Sequence, residues 1–507
     1  MQPRGNRRWW ALFALVPAVL AVGLDATVLS VALPTLAADL HASTDQLQWF
    51  VVAYTLVFAA AMVPAGLLGD RFGRRRLLLA ALAVFGLGSL ACAYSSSPGQ
   101  LIAARALLGL GGAALVPVAM AVLPVLFAES ERPKAIAAIM AATMLGYPIG
   151  PILGGWLLDH YWWGWVFLMN VPVVLLGLVT VAVLLPESRG ERRTGIDLAG
   201  ILSSSAGLAA LTYGVIQAGD HGWTDRRALL MLAAGGALLT GFVVVQRRAA
   251  DPLVDLRLFA SAGFSWGTGL ATAVSFVLFG VLFVMPQYFQ AVLGTGAQGS
   301  GLRLLPLVAG LLIGAPLADR LARRIGDARA IGLGLVIIAV TFAVATQTTR
   351  GTGTLFTVAW IGVNGIGTGL ALPTAMDAAL GALATQRAAV GSAVIQALRM
   401  VGGSFGAAVL GSVLNAGYHA RLDLAGLPAP AAAAVRESVS AGVTVATRLG
   451  SPALRTSVVD AFLHGMAAMM WTCAGLAAAC ALLTLLLMPR RRPAPEEPRP
   501  SSATMAA

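Results

Sequence analysis

The sequence GLLGDRFGRRR, residues 66–76, returns in altered form as APLADRLARR, residues 315–324. The two copies share one acid and three arginines in the same order, pairing Asp70 with Asp319, Arg71 with Arg320, Arg74 with Arg323 and Arg75 with Arg324. Each copy follows a long apolar run. A repeated loop at corresponding places predicts a chain made of two related halves, arranged as parallel repeats.

The apolar runs around these loops decide the class of protein. Of the 507 residues, 58% are hydrophobic and 11% are charged, against about 45–50% and about 25% in soluble domains. Many runs are long enough to cross a hydrocarbon core of about 30 Å as a helix. The first run is too long for a secretory signal peptide, contains Asp25 and is followed by further spans. The sequence therefore predicts an all-α integral membrane protein.

The chain divides into fourteen predicted membrane spans. They lie near residues 10–33, 47–68, 76–95, 101–126, 135–158, 164–186, 198–218, 227–246, 264–289, 299–318, 328–348, 353–375, 395–415 and 464–488. Of the 34 Lys and Arg residues, 24 fall in the tails or in loops after even-numbered spans, and 7 in loops after odd-numbered spans. Because basic residues concentrate on the cytoplasmic side, both termini are predicted to be cytoplasmic.

With six spans in each half, spans 7 and 8 become an insertion between the repeats. The predicted divisions are an N-terminal half at 1–190, two inserted central helices at 191–260, a C-terminal half at 261–489 and a tail at 490–507. The C-terminal half includes a large extracellular loop, about 416–463, with room for a surface helix. The tail is rich in proline and charge, which predicts a disordered cytoplasmic segment.

The repeated loops have two interpretations. Basic loops always help to anchor membrane topology, and that alone could explain them. The fixed order of Asp and Arg, with small residues beside them, favours a charge-linked clamp that holds helix ends together in one conformation and releases them in another.

Asp25 is the one acid predicted to lie deep within a span. Of the 22 acidic residues, the other 21 fall in tails, in loops or within about a turn of a span end. Its own helical face is mostly small, with Ala11, Ala14, Ala18, Ala21, Val28 and Ala32. Acids inside membranes are expected to be functional. The structural alternative is a carboxyl group neutralised by Arg105 or held protonated by a hydroxyl such as that of Thr27.

Spans 4 and 5 carry two further features. Arg105 lies in LIAARALLGLGG, residues 101–112, and a buried arginine needs a partner. It either reaches the outer surface or couples to Asp25, directly or through water. Span 5 has small residues at every fourth position, namely Ala138, Ala142, Gly146, Gly150 and Gly154. Tight helix packing explains them, and Pro148 and Pro151 add kinks that allow more than one packed arrangement.

Together these motifs resemble the major facilitator superfamily, and within it the fourteen-span drug:proton antiporters of the quaternary-ammonium and multidrug type. LDATVLSVALP, residues 24–34, is similar to the first-span motif, whose aspartate carries the proton; Asp25 corresponds to it. GLLGDRFGRRR resembles the superfamily's loop motif, and LIAARALLGLGG the span 4 motif, whose arginine is tied to proton transfer. GYPIGPILGG, residues 146–155, resembles the antiporter motif of span 5.

The resemblance implies a major facilitator fold, with two six-helix pseudo-repeats and two inserted central helices. Three departures stand out. Leu108 replaces a usual glutamine, Gly164 stands where many relatives have an arginine, and the later spans hold no second deep carboxylate.

The repeats and the resemblance assign roles to individual residues. Proton coupling falls to Asp25 and Arg105. The conformational-switch motifs comprise Gly66, Asp70, Arg71, Gly73, Arg74, Arg75, Asp319, Arg320 and Arg323, and the antiporter motif comprises Gly146, Gly150, Pro151, Gly154 and Gly155. Aromatic, soft or polar residues expected to border a substrate cavity are Tyr54, Met62, Met144, Tyr147, Trp266, Tyr288, Trp360 and Asn364. Such a pocket suits bulky amphiphiles, although each of these residue types is also common in cores and on lipid-facing surfaces.

The sequence predicts proton-coupled efflux of toxic amphiphilic or cationic drugs across a bacterial plasma membrane by alternating access, and hence antibiotic resistance. The alternatives are a dedicated exporter of one host-made antibiotic or metabolite, a sugar or metabolite importer, and a membrane enzyme. The glycine-rich sequences at 109–113 and 364–369 lie inside apolar runs with no preceding strand, so they favour helix packing over nucleotide binding.

The three cysteines show no CxxC spacing and predict neither a disulfide framework nor a metal site. We expect no enzyme activity, no metal, no cofactor and no nucleic-acid partner. The expected partners are small-molecule drugs, protons and the lipid bilayer, with the proton gradient rather than ATP as the energy source and a monomer as the functional unit.

Overall fold

A computed structural model describes residues 7–127, 131–189, 197–249, 255–383 and 388–488. These ranges form helices and contain no β-strand. The helices are α1 (Arg7–Asp39), α2 (Thr44–Phe72), α3 (Arg74–Ala93), α4 (Pro98–Leu126), α5 (Arg132–His160), α6 (Trp165–Leu168), α7 (Asn170–Leu184), α8 (Leu198–His221), α9 (Arg226–Arg248), α10 (Ala262–Gln287), α11 (Ala297–Ile325), α12 (Asp327–Ala345), α13 (Thr354–Leu380), α14 (Ala388–Arg421), α15 (Ala429–Glu437), α16 (Val439–Arg448) and α17 (Pro452–Leu487). A 3-10 helix, Leu256–Ala260, precedes α10, and a π-helix, Tyr288–Val292, follows it.

Each predicted span coincides with helical structure, and the all-helical membrane class is confirmed. Within the described ranges, twelve helices are long and apolar enough to cross a membrane. The number becomes thirteen when Thr44–Met62 and Pro64–Phe72, which meet at a bend of 50°, count as one span. The span predicted at 135–158 lies in α5, where several side chains fall outside the described set. Fourteen spans are consistent with this structure, and the exact number stays a prediction.

The predicted boundaries differ from the helices in two places. Span 6 is split into α6 and α7, and the large outer loop is shorter than predicted because α14 ends at Arg421 and α17 begins at Pro452. Ser451 caps α17, since its hydroxyl accepts a hydrogen bond from the Leu454 amide at 3.2 Å. The loop holds the two short helices α15 and α16. The predicted tail at 490–507 lies outside the described residues.

The helices pack as two groups and one extra pair. In the first group α1 packs on α5 and α7, and α4 packs on α2 and α3. In the second, α13 packs on α10, α11 and α12, while α17 packs on α12 and α14. The extra pair, α8 and α9, pack on each other, and α8 also touches α2 and α14. The two groups meet where α2 packs on α14 and α5 packs on α11.

The two largest of four hydrophobic cores in the described ranges differ in which half of the molecule builds them. The first joins both halves, with Leu24, Leu36 and Phe50 of the N-terminal half beside Phe283 and Phe289 of the C-terminal half. Its residues from the N-terminal half lie where α1 finishes and α2 begins, whereas those from the C-terminal half extend to the opposite end of the bundle, as far as Ile331, Ala378 and Met488.

The second core is built from the N-terminal half at the opposite end, around the first turns of α1 and the last turns of α4. Among described residues of the C-terminal half, Ala397 and Met400 alone pack against it. The N-terminal half therefore shares a core with the C-terminal half at the predicted extracellular end, and few described hydrophobic residues of the C-terminal half pack against its second core.

Candidate functional site

Asp25 and Arg105 form a salt bridge inside the N-terminal half. The Nη1 atom of Arg105 lies 2.8 Å from Oδ2 and 3.0 Å from Oδ1 of Asp25. Asp25 is 0% exposed and Arg105 is 2% exposed. This burial excludes the interpretation in which Arg105 reaches the outer surface. The role of the pair in proton transfer stays a prediction.

Helix α2 gives Arg105 two further partners. The Nε group of Arg105 donates a hydrogen bond to the Phe50 carbonyl oxygen at 3.0 Å. The guanidinium carbon also lies 4.4 Å from the centroid of the Tyr54 ring, an arrangement worth roughly 0.5–2 kcal/mol. These contacts do not depend on the charge of Asp25, so α2 can hold the arginine when the carboxyl group is protonated.

Two residues not singled out from the sequence complete the surroundings. The buried Asn170, at the start of α7, interacts through its side chain with Asp25 and donates to the Ser89 hydroxyl at 3.4 Å. Cys92 is buried close enough to interact electrostatically with both Asp25 and Arg105. A lone Asn within the apolar run of span 6 was the available signal for Asn170, whereas Cys92 offered none.

The glycine face of α5 packs directly on α1 around Asp25. A Cβ atom added at any of three glycines would collide with α1, pairing Gly146 with Gly23, Gly150 with Thr27 and Gly154 with Val28. Asp25 lies within this stretch of contact. The glycines predicted as the antiporter motif therefore allow α5 to approach α1 backbone to backbone beside the salt bridge.

A second face of α5 meets the other half. A Cβ atom on Gly155 would lie 2.6 Å from the Cα atom of Gln298, and one on Gly301 of α11 would collide with the Pro151 carbonyl group. The antiporter motif thus touches both the helix of Asp25 and the first turns of α11.

The first loop motif is held within the N-terminal half. Nη2 of Arg74 lies 2.8 Å from Oδ1 of Asp70, linking the end of α2 to the start of α3. Gly73, between these helices, has φ +110°, and a Cβ there would lie 2.6 Å from Oε1 of Glu187. The same Glu187 oxygen accepts a hydrogen bond from the Arg75 amide at 3.1 Å. Glu187, for which no sequence motif indicated a role, therefore fixes the loop against the end of α7.

The second loop motif has the same kind of ion pair as the first, but its turn lies farther along the chain. Nη2 of Arg323 lies 2.7 Å from Oδ2 of Asp319, and both side chains are exposed. The left-handed glycine, with φ +87°, is Gly326, about one helical turn farther from its acid than Gly73 is from Asp70. The sequence alignment of the two copies therefore holds for the ion pair and fails for the turn, because α11 continues about one turn farther past its acid than α2 does.

The remaining switch residues lie on the surface or have room around them. Arg71 and Arg320 are exposed, and a Cβ on Gly66 would meet nothing within 4 Å. The second motif borders a cavity of about 240 Å³ that Asp319, Asp327 and Asp377 line. Within the described ranges, no group of three or more His, Cys, Asp or Glu side chains is arranged to hold a metal ion.

Comparison with known proteins decides the family. The family model described as Major Facilitator Superfamily matches residues 15–407. The chain belongs to this superfamily. Relatives similar over nearly the whole length include the tetracenomycin C resistance and export protein of Streptomyces glaucescens, which is 33% identical over 98% of this chain and 95% of its own.

Two further superfamily relatives are named for resistance. The puromycin resistance protein of Streptomyces alboniger is 31% identical, with 99% of this chain and 95% of the relative covered. The methyl viologen resistance protein of Salmonella typhimurium is 32% identical, with 95% and 97% covered. Each match spans both halves and the inserted pair.

Solved structures share the fold at low sequence identity. A bacterial homologue of the human lysosomal transporter Spinster, in an inward-facing and unoccupied conformation, has a TM-score of 0.70 and 18% identity, with 97% of this chain and 100% of that chain covered. A D-xylose–proton symporter has a TM-score of 0.63 and 13% identity, with 95% and 98% covered. The major facilitator fold is confirmed.

The predicted cavity residues of this superfamily member are mostly buried in this conformation. Five have buried side chains, namely Tyr54, Met62, Tyr288, Trp360 and Asn364, and Trp266 is half-buried. The Asn364 amide donates to the Thr341 hydroxyl at 3.1 Å. Met144 and Tyr147 lie in α5, with side chains outside the described set. Tyr54 alone among these residues touches the Asp25–Arg105 pair through a described contact, and the substrate role of the whole group stays a prediction.

Proposed function

We propose that the protein exports toxic amphiphilic or cationic drugs in exchange for protons. The observation that carries this proposal is the fully buried Asp25–Arg105 pair. An acid inside a membrane transporter is costly to keep and marks ion or proton pathways. The names of three relatives, which refer to resistance or export, support drugs as the substrates.

Proton and drug compete for Asp25 in this mechanism. While the bundle is open toward the cytoplasm, the deprotonated Asp25 is held by Arg105, and an entering cationic drug takes over part of that attraction. After the switch to the outward-open form, a proton from outside neutralises Asp25 and the drug leaves. Arg105 then rests on its remaining partners, the Phe50 carbonyl group and the Tyr54 ring.

The proton gradient supplies enough energy for concentrative export. One proton entering down 100 mV provides about 2.3 kcal/mol, and each pH unit adds roughly 1.4 kcal/mol. One proton per neutral drug at both values yields an accumulation ratio of several hundredfold, whereas exchange for a monovalent cation moves no net charge and leaves the pH term alone, about tenfold. We infer that no ATP, cofactor or metal takes part and that a monomer is the transporting unit.

The proposed location is the bacterial inner membrane, with both termini in the cytoplasm. The excess of Lys and Arg in the tails and in loops after even-numbered spans supports this orientation.

A narrower function is the second candidate. One relative is named for resistance to, and export of, a single compound, tetracenomycin C, which favours a dedicated exporter of one antibiotic made by the host cell. The two candidates predict different substrate ranges with the same proton coupling.

Everted membrane vesicles test the function. Addition of a transported drug to energised vesicles that hold the protein should release protons from the lumen, measured as dequenching of a pH-sensitive dye, and an uncoupler should abolish the signal. A panel of cationic and neutral compounds separates the two candidates, since many responders indicate a multidrug exporter and one indicates a dedicated one. Vesicles without the protein are the control, and equal responses from both would contradict the proposal.

A further inference from the structure

We propose that Asp159 acts as a latch for the outer gate, which we define as the contact between the two halves at their predicted extracellular end. Asp159 belongs to the N-terminal half and caps the first turn of α11 in the C-terminal half. Its Oδ1 atom accepts a hydrogen bond from the Ala297 amide at 3.0 Å, and its Oδ2 atom accepts one from the Gln298 amide at 3.1 Å. One carboxylate therefore joins the two halves that must separate when the transporter opens outward.

The first amide groups of α11 are capped by the Asp159 carboxylate, which belongs to another helix, α5. The first amides of a helix have no partner within the helix and are usually capped by the residue that precedes it. Here that residue is Gly296, which has no side chain to offer, and α11 has no cap of its own. A Cβ atom on Gly296 would lie 3.1 Å from Oδ2 of Asp159. The absent side chain thus leaves the space that Asp159 fills, and the negative charge faces the positive end of the helix dipole.

Beside Asp159, α5 packs closely enough on α11 to hold the carboxylate against the first turn of α11. Three residues at intervals of four, Pro151, Gly155 and Asp159, lie on one face of α5 and meet the start of α11. A Cβ on Gly155 would lie 2.6 Å from the Cα atom of Gln298. With backbones in direct contact, a small separation of α5 from α11 would break both hydrogen bonds of Asp159.

A second polar link joins the two halves at the same end, again with its donor in the C-terminal half. Nε2 of Gln290, in the π-helix of the C-terminal half, donates to the Val31 carbonyl oxygen of α1 at 2.9 Å. This bond lies on the same outer part of the bundle and on the helix that carries Asp25. In both links a group of the N-terminal half, the Asp159 carboxylate or the Val31 carbonyl, accepts hydrogen bonds from the C-terminal half.

The geometry connects the latch with the proton site through α5. Gly154 packs on Val28 of α1, while the next residue, Gly155, packs on Gln298 of α11. If α1 shifts when Asp25 changes its charge, α5 would move with it at the contact between Gly154 and Val28. The contact between Gly155 and Gln298 would then change as well. Asp159 acts as a positioning residue: it touches neither drug nor proton, and it sets how often the outer gate opens.

Distance measurements between spin labels test this proposal without any transport assay. In the full-length protein, Cys92, Cys473 and Cys480 are replaced by alanine. Spin labels are then attached at Ser96→Cys and Gly351→Cys, two exposed loop positions at the predicted outer ends of opposite halves. Pulsed electron paramagnetic resonance in lipid nanodiscs then measures the distances between the two labels, and the short and long distances report the populations of closed and open outer gates.

We expect Asp159→Ala to raise the ratio of long to short distances by about five- to thirty-fold, as loss of a helix cap predicts. Asp159→Asn, which keeps one acceptor oxygen and loses the charge, should give a smaller rise. The matched control is Asp225→Ala: Asp225 also caps a helix, accepting from the Ala228 amide at 2.9 Å, and it does so within the inserted pair. It should leave the ratio unchanged.

An unchanged ratio in Asp159→Ala, or an equal rise in Asp225→Ala, would overturn the latch. If Asp159→Ala does not give a monodisperse protein, Asp159→Asn decides alone: a rise above twofold supports the proposal, and no rise overturns it. Because no drug or proton gradient is present, failure of the proposed drug exchange would leave these distances unaffected, and the two outcomes are separate.

Discussion

At the scale of single residues, one buried ion pair, Asp25 with Arg105, is the centre of the proposed exchange. Two charges taken out of water are costly, and their attraction repays that cost only with good geometry and further hydrogen bonds. Asp25 and Arg105 meet both conditions, with two oxygens on one nitrogen and a backbone carbonyl on Nε. The pair is well suited to a switch because a single proton on Asp25 removes most of the attraction.

The pair predicts a definite pattern of stability. Arg105→Met should lower the free energy of unfolding by roughly 3–5 kcal/mol if Asp25 stays charged, because it leaves an uncompensated buried carboxylate. The double variant Asp25→Asn with Arg105→Met should recover much of this loss. Thermal unfolding in detergent, followed by a thiol-reactive dye on the buried Cys92 and Cys473, measures both. A double variant no more stable than Arg105→Met would show that the pair is not the source of the effect.

The sequence was sufficient to find Asp25 and insufficient to find its surroundings. A lone acid in an apolar run is visible at once, since no other acid lies so deep. The contacts of Arg105 with Asp25 and the Phe50 carbonyl join residues 80 and 55 positions apart, and no local pattern specifies them. Backbone groups such as that carbonyl carry no sequence signal at all.

At the scale of helices, α5 does two tasks with adjacent faces. Gly146, Gly150 and Gly154 lie against α1, while Pro151 and Gly155 lie against α11. The every-fourth spacing predicted a packing face correctly. It could not predict that the motif serves two partners, because the second face is defined by the start of α11, far along the chain.

A single methyl group added to α5 tests whether its close packing on α1 is needed for drug export. In Gly150→Ala the new methyl group meets the Thr27 hydroxyl and the Leu24 carbonyl oxygen, so α1 and α5 must move apart. We expect drug export to fall at least tenfold, as displacements of about 1 Å at a working site cost about 100-fold. Gly241→Ala in α9 is the control, since nothing lies within 4 Å of its Cβ. Export rates at equal expression decide, and equal rates in the two variants would contradict the packing role.

The two loop motifs show where repeat comparison succeeds and fails. The Asp–Arg pairs correspond in both halves, because the charged pattern is local. The turns do not correspond, since Gly73 ends α2 soon after Asp70 whereas α11 continues to Ile325. An extra turn keeps the same helix face and is therefore invisible to a periodicity argument.

At the scale of the whole molecule, the halves are joined at one end. The shared core lies beside the latch, and the N-terminal half has its own core at the other end. The predicted extracellular end is therefore closed in this structure, since the shared core and the hydrogen bonds of Asp159 and Gln290 lie there. Hydropathy and duplication predicted the helices and the two halves, but which end is closed depends on contacts between halves that the sequence does not encode locally.

Reporter fusions test the orientation. A fluorescent protein joined after Met488 should fluoresce, and alkaline phosphatase at that position should be inactive, because the phosphatase needs disulfides that form only outside the cytoplasm. Fusions within the loop between α8 and α9, at His221–Asp225, should give the reverse pattern. Active phosphatase after Met488 would contradict the cytoplasmic location of the C terminus.

Drug export by Asp25→Asn in proteoliposomes tests the central claim most directly. Asparagine has nearly the same size and cannot exchange a proton, so the variant should fold, appear at wild-type levels and fail to concentrate drug when a pH gradient is imposed. The wild-type protein should accumulate drug against its gradient under the same conditions. Undiminished uphill transport by Asp25→Asn would contradict the assignment of proton coupling to this residue.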